Sequence, residues 1–174
     1  MSDQRLVCDH IGLATHALEL TTAFFTGCTA FTVAGPAVVD PHQGVTIRFL
    51  GNPDVPWPRI ELLQPLSPRS PVFRQARGGG GPLHLCFQVA SLADFRTVCR
   101  SARLTPLSQP APAPAFGEGR RVAFVQVPGV GVIELVETPG AAALERLADL
   151  PIREMKQSFV ALNRLPLPGP GVPD

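Results

Sequence analysis

A chain of 174 residues, of which 45% are hydrophobic and 17% charged, has the length and composition of one globular domain or two small fused modules. Its formal net charge is +1 and its basic residues are scattered, which argues against nucleic acid as a partner because phosphate binding requires a concentrated positive field. No segment reaches the roughly 18 apolar residues of a membrane span, and the N-terminal segment has no apolar signal core. We therefore expect an untargeted cytoplasmic protein, with neither nucleic acid nor membrane as a partner.

The first half of the chain predicts a strand, a helix and three further strands. Residues 6–14 alternate as in a half-buried strand, and residues 17–26 carry apolar side chains at helical spacing. Further strands are expected at 30–38, 44–50 and 58–64. The stretch SPRSPVFRQARGGGG that follows predicts a short helix before a flexible glycine run.

The second half predicts the same order of elements. A strand at 83–89 precedes a helix from Leu92 to Ala102, for which Ser91 is the expected N-cap. The remaining strands are expected at 105–109, 120–127 and 131–137. Beyond them we expect a helix from Ala141 to Leu165, interrupted by Pro151, and a proline-rich tail.

The two halves also repeat each other in sequence. The segment CDHIGLA, which contains His10, aligns with PLHLCFQ, which contains His84. The segment RIELLQP, which contains Glu61, aligns with VIELVETP, which contains Glu134. Because the histidines and the glutamates are separated by nearly the same interval, we interpret the chain as two copies of one module. We therefore divide it into a domain at 1–140, with module one at 6–66 and module two at 82–139, and a C-terminal part at 141–174.

The repeated histidines and glutamates predict a metal site. His10 and His84 share their strand faces with small or polar residues, which leaves room beside the rings. Glu61 and Glu134 lie between large apolar residues, where a carboxylate is costly to bury unless it is paired or bound to a metal. Two carboxylates and two imidazoles suit one divalent transition metal and leave two octahedral positions open for a substrate with two adjacent oxygens.

These motifs resemble the vicinal oxygen chelate superfamily, which includes glyoxalase I, extradiol dioxygenases, fosfomycin-resistance enzymes and bleomycin-binding proteins. The segments DHIGLA, QGVTIRFL, IELLQPLSPRSPV, GGGPLHLCFQV and FGEGRRVAFVQVPGVGVIELVE are most similar, in this order, to the methylmalonyl-CoA epimerase family. The resemblance covers about residues 8–138. It implies an α+β fold, in which two tandem βαβββ modules form a cupped eight-stranded mixed sheet around the metal site. It also implies a homodimer.

The resemblance implies roles for individual residues. His10, Glu61, His84 and Glu134 fall on the family's ligand positions for one divalent metal ion, which we expect to be Co, Zn, Ni or Mn in preference to Fe. The implied reaction is removal of a proton alpha to a carbonyl or thioester through a metal-bound enolate. Where the family carries a catalytic Glu, this chain has His42, and histidine can serve as a base near neutral pH. We expect His42 and Glu134 to be catalytic, the latter by loosening from the metal.

Two departures indicate a divergent substrate. His42 replaces the family's catalytic Glu, and Leu83 replaces the first of its paired histidines. We therefore expect an acyl or carbonyl compound of specialised metabolism, such as an acyl-CoA or another acyl thioester.

Three other functions remain open from the sequence. A glyoxalase-I-like lyase would use the same two histidines and two glutamates on a thiol adduct. An iron(II) oxygenase would need only three ligands, so Glu61 would crowd oxygen and substrate. A resistance-type module that binds a small molecule without catalysis is opposed by the four intact ligand positions.

Overall fold

The computed structural model of the protein describes residues 5–149. The strands in this range are β1 (Val7–Ala14), β2 (Thr32–Val33), β3 (Val38–Asp40), β4 (Val45–Asn52), β5 (Val55–Pro65), β6 (Gly81–Val89), β7 (Thr105–Pro106), β8 (Ala111–Pro112), β9 (Arg121–Val127) and β10 (Gly131–Glu137). The helices are α1 (Leu18–Cys28), α2 (Phe73–Arg77) and α3 (Phe95–Ser101), and 3₁₀ helices span Pro114–Phe116 and Leu144–Asp149. No helix within residues 5–149 is long and apolar enough to cross a membrane.

The strands form a single mixed sheet. Its main path runs β2-β4-β5-β1-β6-β10-β9-β7, with β3 paired to β4 and β8 paired to β9. Within each half the first strand runs parallel to the last, as β1 does to β5 and β6 does to β10. The two halves join through the antiparallel pairing of β1 with β6. This arrangement confirms the α+β class with a large mixed sheet, and it makes β5, β1, β6 and β10 neighbours at the centre.

The sheet has ten strands among the described residues, where the sequence predicted eight. The strand expected at 30–38 is divided into β2 and β3, with Gly35 and Pro36 between them. Gly35 has a φ of 146°, and Pro36 has no backbone N–H for a ladder hydrogen bond. In the second half, β7 ends at Pro106 and the proline-rich stretch after it supplies β8. The prolines therefore divide the second strand of each half.

Helices α1 and α3 cover one face of the sheet. Ile11 and Leu13 of β1 pack in a cluster with Leu18 of α1. Leu85 and Phe87 of β6 pack against the cluster that includes buried residues of α3. These large side chains alternate with the histidines along their strands, as predicted, so the ligand candidates lie on the opposite face of the sheet.

Helix α3 begins three residues later than predicted, and Ser91 is not its N-cap. The N-cap position belongs to Asp94, whose side chain makes no capping hydrogen bond. The Ser91 hydroxyl instead accepts a hydrogen bond from the Ala93 N–H at 3.1 Å. The Leu92 N–H donates to the Glu137 carboxylate at 2.6 Å, so the residues before α3 form a turn that is fixed to the end of β10.

The segment after residue 140 is described only as far as Asp149. Leu144 and Leu147 of its 3₁₀ helix are buried in the same cluster as α3. The predicted helix from Ala141 is therefore replaced by 3₁₀ geometry over Leu144–Asp149. Pro151 and the rest of the expected C-terminal helix and tail lie outside the described residues.

Candidate metal centre

Four side chains from four adjacent strands meet on the inner face of the sheet, the face opposite α1 and α3. His10 belongs to β1, Glu61 to β5, His84 to β6 and Glu134 to β10. All four are buried, and none exposes more than 5% of its surface. The structure therefore brings together the four residues that the repeat singled out.

The distances between the donor atoms suit a single metal ion. The His10 Nε2 lies 3.1 Å from the His84 Nε2, 3.2 Å from the Glu61 Oε2 and 3.0 Å from the Glu134 Oε2. The His84 Nε2 lies 3.3 Å and 3.2 Å from the same two oxygens, and one donor atom from each residue lies within 4.8 Å of all the others. Adjacent donors around an octahedral metal with bonds of about 2.1 Å are about 3.0 Å apart.

Hydrogen bonding within the protein leaves these carboxylates unsatisfied. Neither oxygen of Glu61 and neither oxygen of Glu134 accepts a well-directed hydrogen bond, although all four atoms are buried. A buried carboxylate without partners is costly, and a bound cation removes that cost. Two carboxylates and two neutral imidazoles would balance the charge of a divalent ion. The donor set therefore fits a divalent metal.

The pKa values report how strongly these groups interact. Burial opposes charge on His84, but its contacts with Glu134 and Glu61 outweigh burial and raise its pKa to about 9. Burial also disfavours the charged form of Glu134, yet His10 and His84 lower its pKa to about 2. Burial likewise opposes charge on His10, but the attraction of Glu61 together with contacts to Cys86 and Asp9 raises its pKa well above the ordinary value. The carboxylates are therefore ionised, and the histidines are the groups that must release protons to bind a metal.

A β-bulge precedes each histidine of the cluster. In the ladder between β1 and β6, Asp9 and Leu83 are the two residues that have no residue opposite them. Asp9 comes directly before His10, and Leu83 comes directly before His84. The repeat therefore extends to the irregularities of its strands.

The bulge in β1 brings Asp9 against His10. Its carboxylate accepts hydrogen bonds from the His10 Nδ1 at 3.0 Å, from the Gln88 Nε2 at 2.8 Å and from Arg59. Burial would raise the pKa of Asp9, but hydrogen bonds from His10, Arg59 and Gln88 together lower it. Asp9 thus stays ionised and holds the His10 proton on Nδ1, so that Nε2 faces the cluster.

The sequence interpretation did not identify Asp9. In strict alternation Asp9 would share the helix-covered face with Ile11, which is a poor place for a carboxylate. That conflict was the signal of a bulge.

A glycine makes room for the second histidine. A Cβ atom at Gly12 would lie 2.3 Å, 2.4 Å and 2.7 Å from three atoms of the His84 ring. Any side chain at this position would therefore displace the ring. The close approach of β1 to His84 explains the glycine in the first module.

A cavity of about 350 Å³ lies beside the cluster, and His84 is the ligand candidate that forms part of its wall. Most of the lining residues are apolar. His42 and Gln43 line the same cavity, and His42 is exposed to solvent. Their backbone N–H groups donate to the Asp40 carboxylate at 2.9 Å and 3.0 Å, which fixes the turn that carries them. The structure therefore places His42 in the wall that also contains His84.

The fold resembles those of solved structures of epimerases. Methylmalonyl-CoA epimerase from Mycobacterium tuberculosis superposes with a TM-score of 0.68 over 86% of this chain and 97% of its own, at 21% identity, which shows the fold alone. Methylmalonyl-CoA epimerase from Streptomyces coelicolor, in complex with 2-nitronate-propionyl-CoA, has a TM-score of 0.64 and 27% identity over 80% of this chain and 99% of its own. A hypothetical protein from Bacillus halodurans has a TM-score of 0.65 and 28% identity over 81% of this chain and 99% of its own.

Comparison with models of protein families identifies the superfamily of the chain. A search of curated proteins found no match. The model of the Glyoxalase/Bleomycin resistance protein/Dioxygenase superfamily matches residues 9–124, which is more than half of the chain and includes His10, Glu61 and His84. The chain therefore belongs to the Glyoxalase/Bleomycin resistance protein/Dioxygenase superfamily, also called the vicinal oxygen chelate superfamily.

Proposed function

We propose that this protein is a metal-dependent epimerase or isomerase that removes a proton alpha to a carbonyl or thioester. The observation that carries the proposal is the meeting of four buried donors beside a cavity whose wall includes His42. The likeness to a methylmalonyl-CoA epimerase in complex with an acyl-CoA analogue supports the reaction class. A divalent metal held by His10, Glu61, His84 and Glu134 would supply Lewis-acid stabilisation of the oxyanion that forms when the proton leaves.

In this proposal His42 is the base. A neutral imidazole in the cavity wall can accept a proton from a substrate carbon, and its exposure lets the proton pass to solvent. Glu134 is the second catalytic group. Its Oε1 has no hydrogen-bond partner, whereas its Oε2 faces the two histidines, so one oxygen is free to take part in proton transfer.

We further propose that residues 1–140 form the catalytic domain, that 141–174 is a C-terminal extension, and that the enzyme is a homodimer. The pairing of β1 with β6 and the shared metal cluster support the assignment of both modules to one unit. Light scattering on the purified protein gives the mass that tests the dimer.

The first experiment measures metal content and proton exchange together. We expect about one transition-metal ion per chain, lost in His10→Ala and Glu134→Ala. The matched control His16→Ala removes an exposed histidine outside the cluster and should keep the metal. Deuterium incorporation from D₂O into α-protons of acyl thioesters, followed by NMR, then tests the chemistry.

The variant His42→Ala separates metal binding from catalysis. It should retain the metal, because His42 is not in the cluster, while exchange falls by about 10²-fold or more, the usual loss for a general base. An unchanged exchange rate would remove His42 from the mechanism. Metal-loaded protein that exchanges no α-proton but turns over a hemithioacetal would establish the lyase alternative. Ligand binding that survives His10→Ala would favour a non-enzymatic module.

A further inference from the structure

The cavity beside the cluster has mostly apolar walls. Of its 14 lining residues, ten are apolar and none is Asp, Glu, Lys or Arg. The apolar walls come from both halves of the chain. Leu63 of β5 belongs to the first half, and the second half supplies Leu83, Val122, Phe124 and Val132 from β6, β9 and β10. The cavity is therefore built as a hydrophobic compartment rather than as an anion site.

Two of the polar side chains in the cavity wall already form hydrogen bonds within the protein. The Gln43 Nε2 donates to the Asp40 carboxylate at 3.2 Å, and the Ser108 hydroxyl accepts from the Phe124 N–H at 3.0 Å. His84 belongs to the metal-binding cluster. A ligand anion in the cavity would thus find no cationic side chain of fixed charge, and burying an unpaired charge is costly.

We infer that the cavity binds an uncharged, apolar substituent of the substrate, and that the protein selects such a substituent over a carboxylate. The reaction assigned to this substrate rests on the proposed function. The binding preference does not rest on the proposed function, since it follows from the residues that line the cavity. A volume of about 350 Å³ corresponds to about twelve molecules of water, which is room for a chain or ring of about six to ten carbon atoms.

The first experiment compares binding of two thioesters that have no α-proton and cannot react. The probes are the N-acetylcysteamine thioesters of 2,2-dimethylhexanoate and of 2,2-dimethylmalonate, titrated calorimetrically into metal-loaded protein. We expect the hexanoate ester to bind at least tenfold more tightly, since each methylene that enters an apolar cavity raises affinity about fourfold. Equal or tighter binding of the malonate ester would overturn the inference.

Variants that fill the cavity test whether the apolar substituent binds inside it. Ala111→Phe and Val132→Phe add bulk from two different strands that line the cavity and should weaken binding of the hexanoate ester about tenfold or more. The control Ala93→Phe places the same ring at an exposed position outside the lining and should leave binding unchanged. Circular dichroism and thermal melts confirm folding of each variant. Undiminished binding in both filled variants, when folded, would place the substituent elsewhere and overturn the inference.

Exchange of the matching 2-methylhexanoyl and 2-methylmalonyl thioesters in D₂O then separates this inference from the proposed function. Faster exchange of the hexanoyl ester supports both. If neither ester exchanges and the binding preference remains, the proposed reaction fails and the cavity assignment stands. If exchange occurs but the malonyl ester is preferred in both assays, the reaction stands and the cavity assignment fails.

Discussion

The two candidate ligand histidines differ in what holds their second ring nitrogen. The His10 Nδ1 is hydrogen-bonded to Asp9, whereas the His84 Nδ1 is buried without a partner. The orientation of His84 depends instead on packing, with Gly12 beneath its ring and the Phe124 ring centroid 5.7 Å away. One histidine is therefore positioned by charge and hydrogen bonding, and the other by shape.

Removing the charge of Asp9 should weaken metal binding. Asp9→Asn keeps the size of the side chain but loses the ionised acceptor for the His10 Nδ1–H, and such changes typically lower metal affinity about 10- to 100-fold. Competition with a chromophoric chelator measures the affinity. Asp54→Asn changes an exposed carboxylate and is the control. An unchanged affinity in Asp9→Asn would show that packing alone orients His10.

Adding one methyl group at Gly12 should disable the site by displacing His84. The Cβ of Gly12→Ala would meet the ring at 2.3 Å, so we expect metal affinity to fall more than tenfold and stability to fall by about 1–3 kcal/mol. Titration with metal and urea unfolding measure the two effects. Gly27→Ala in α1 meets no atom within 4 Å and should instead stabilise the protein by up to about 1 kcal/mol. Retention of full affinity in Gly12→Ala would contradict the packing argument.

At the residue scale, the repeat predicted which four side chains converge, because matched positions in two copies are visible in the sequence. Asp9 was not predicted, because strict alternation places it on the helix-covered face and only the bulge, which adds one residue to the strand, brings its carboxylate against His10. The location of His42 in a wall that also contains His84 depends on the turn held by Asp40, a side-chain interaction that spacing does not reveal.

Helices α1 and α3 occupy corresponding places in the two halves but are buried to different extents. Phe95, Val98 and Cys99 of α3 are buried, and the 3₁₀ helix at Leu144–Asp149 packs beside them. In α1, Phe24 is 59% exposed. The amphipathic pattern predicted both helices. Their unequal burial depends on the segment after β10, which packs beside α3, whereas the segment after β5 carries α2, whose Ala76 lies in a different cluster from Leu18 of α1.

Because α3 is more deeply buried than α1, removal of an aromatic ring should destabilise the protein more in α3 than in α1. Phe95→Ala opens a hole in a closed cluster and should lower the free energy of unfolding by about 3–5 kcal/mol. Phe24→Ala removes the same ring from an exposed position and should change it by no more than about 0.5 kcal/mol. Urea unfolding followed by circular dichroism measures both. Similar losses in the two variants would show that α1 is covered in solution.

The strand boundaries show where the sequence was least informative. The long central strands were predicted to within a few residues, because their alternation is regular. The second strand of each half was not, because Gly35, Pro36 and the prolines after β7 interrupt the pairing without abolishing it. Helix α3 was predicted to start too early because Ser91 has the chemistry of an N-cap but closes a turn instead.

At the scale of the whole molecule, the candidate metal site is shared equally between the two halves. Each half supplies one histidine and one glutamate, and the four strands that carry them are consecutive in the sheet. Unfolding of either half would therefore remove two of the four donors. A bound metal should stabilise the entire described fold and not one module alone.

Metal binding should raise the unfolding temperature. At a free metal concentration about 1,000 times the dissociation constant, ligand binding adds about 4 kcal/mol to the free energy of unfolding. Calorimetric melts with Co²⁺ or Zn²⁺ and with a chelator measure the shift, which should appear as one cooperative transition. His10→Ala should melt at the same temperature with and without metal. Two separate transitions, of which one responds to metal, would show that the halves unfold independently.

The paired bulges constrain how this chain can change during evolution. Substitution of a bulged residue leaves the strand register intact, which is why one copy can carry an aspartate and the other a leucine. Deletion of either residue would make its two neighbours consecutive, and the residues opposite those neighbours are already consecutive, so the pairs on both sides and the direction of the histidine could persist. What a deletion at position 9 would remove is the carboxylate that the bulge holds against His10. A shortened strand could therefore keep its pairing, but the first module would lose the hydrogen bond that orients its histidine.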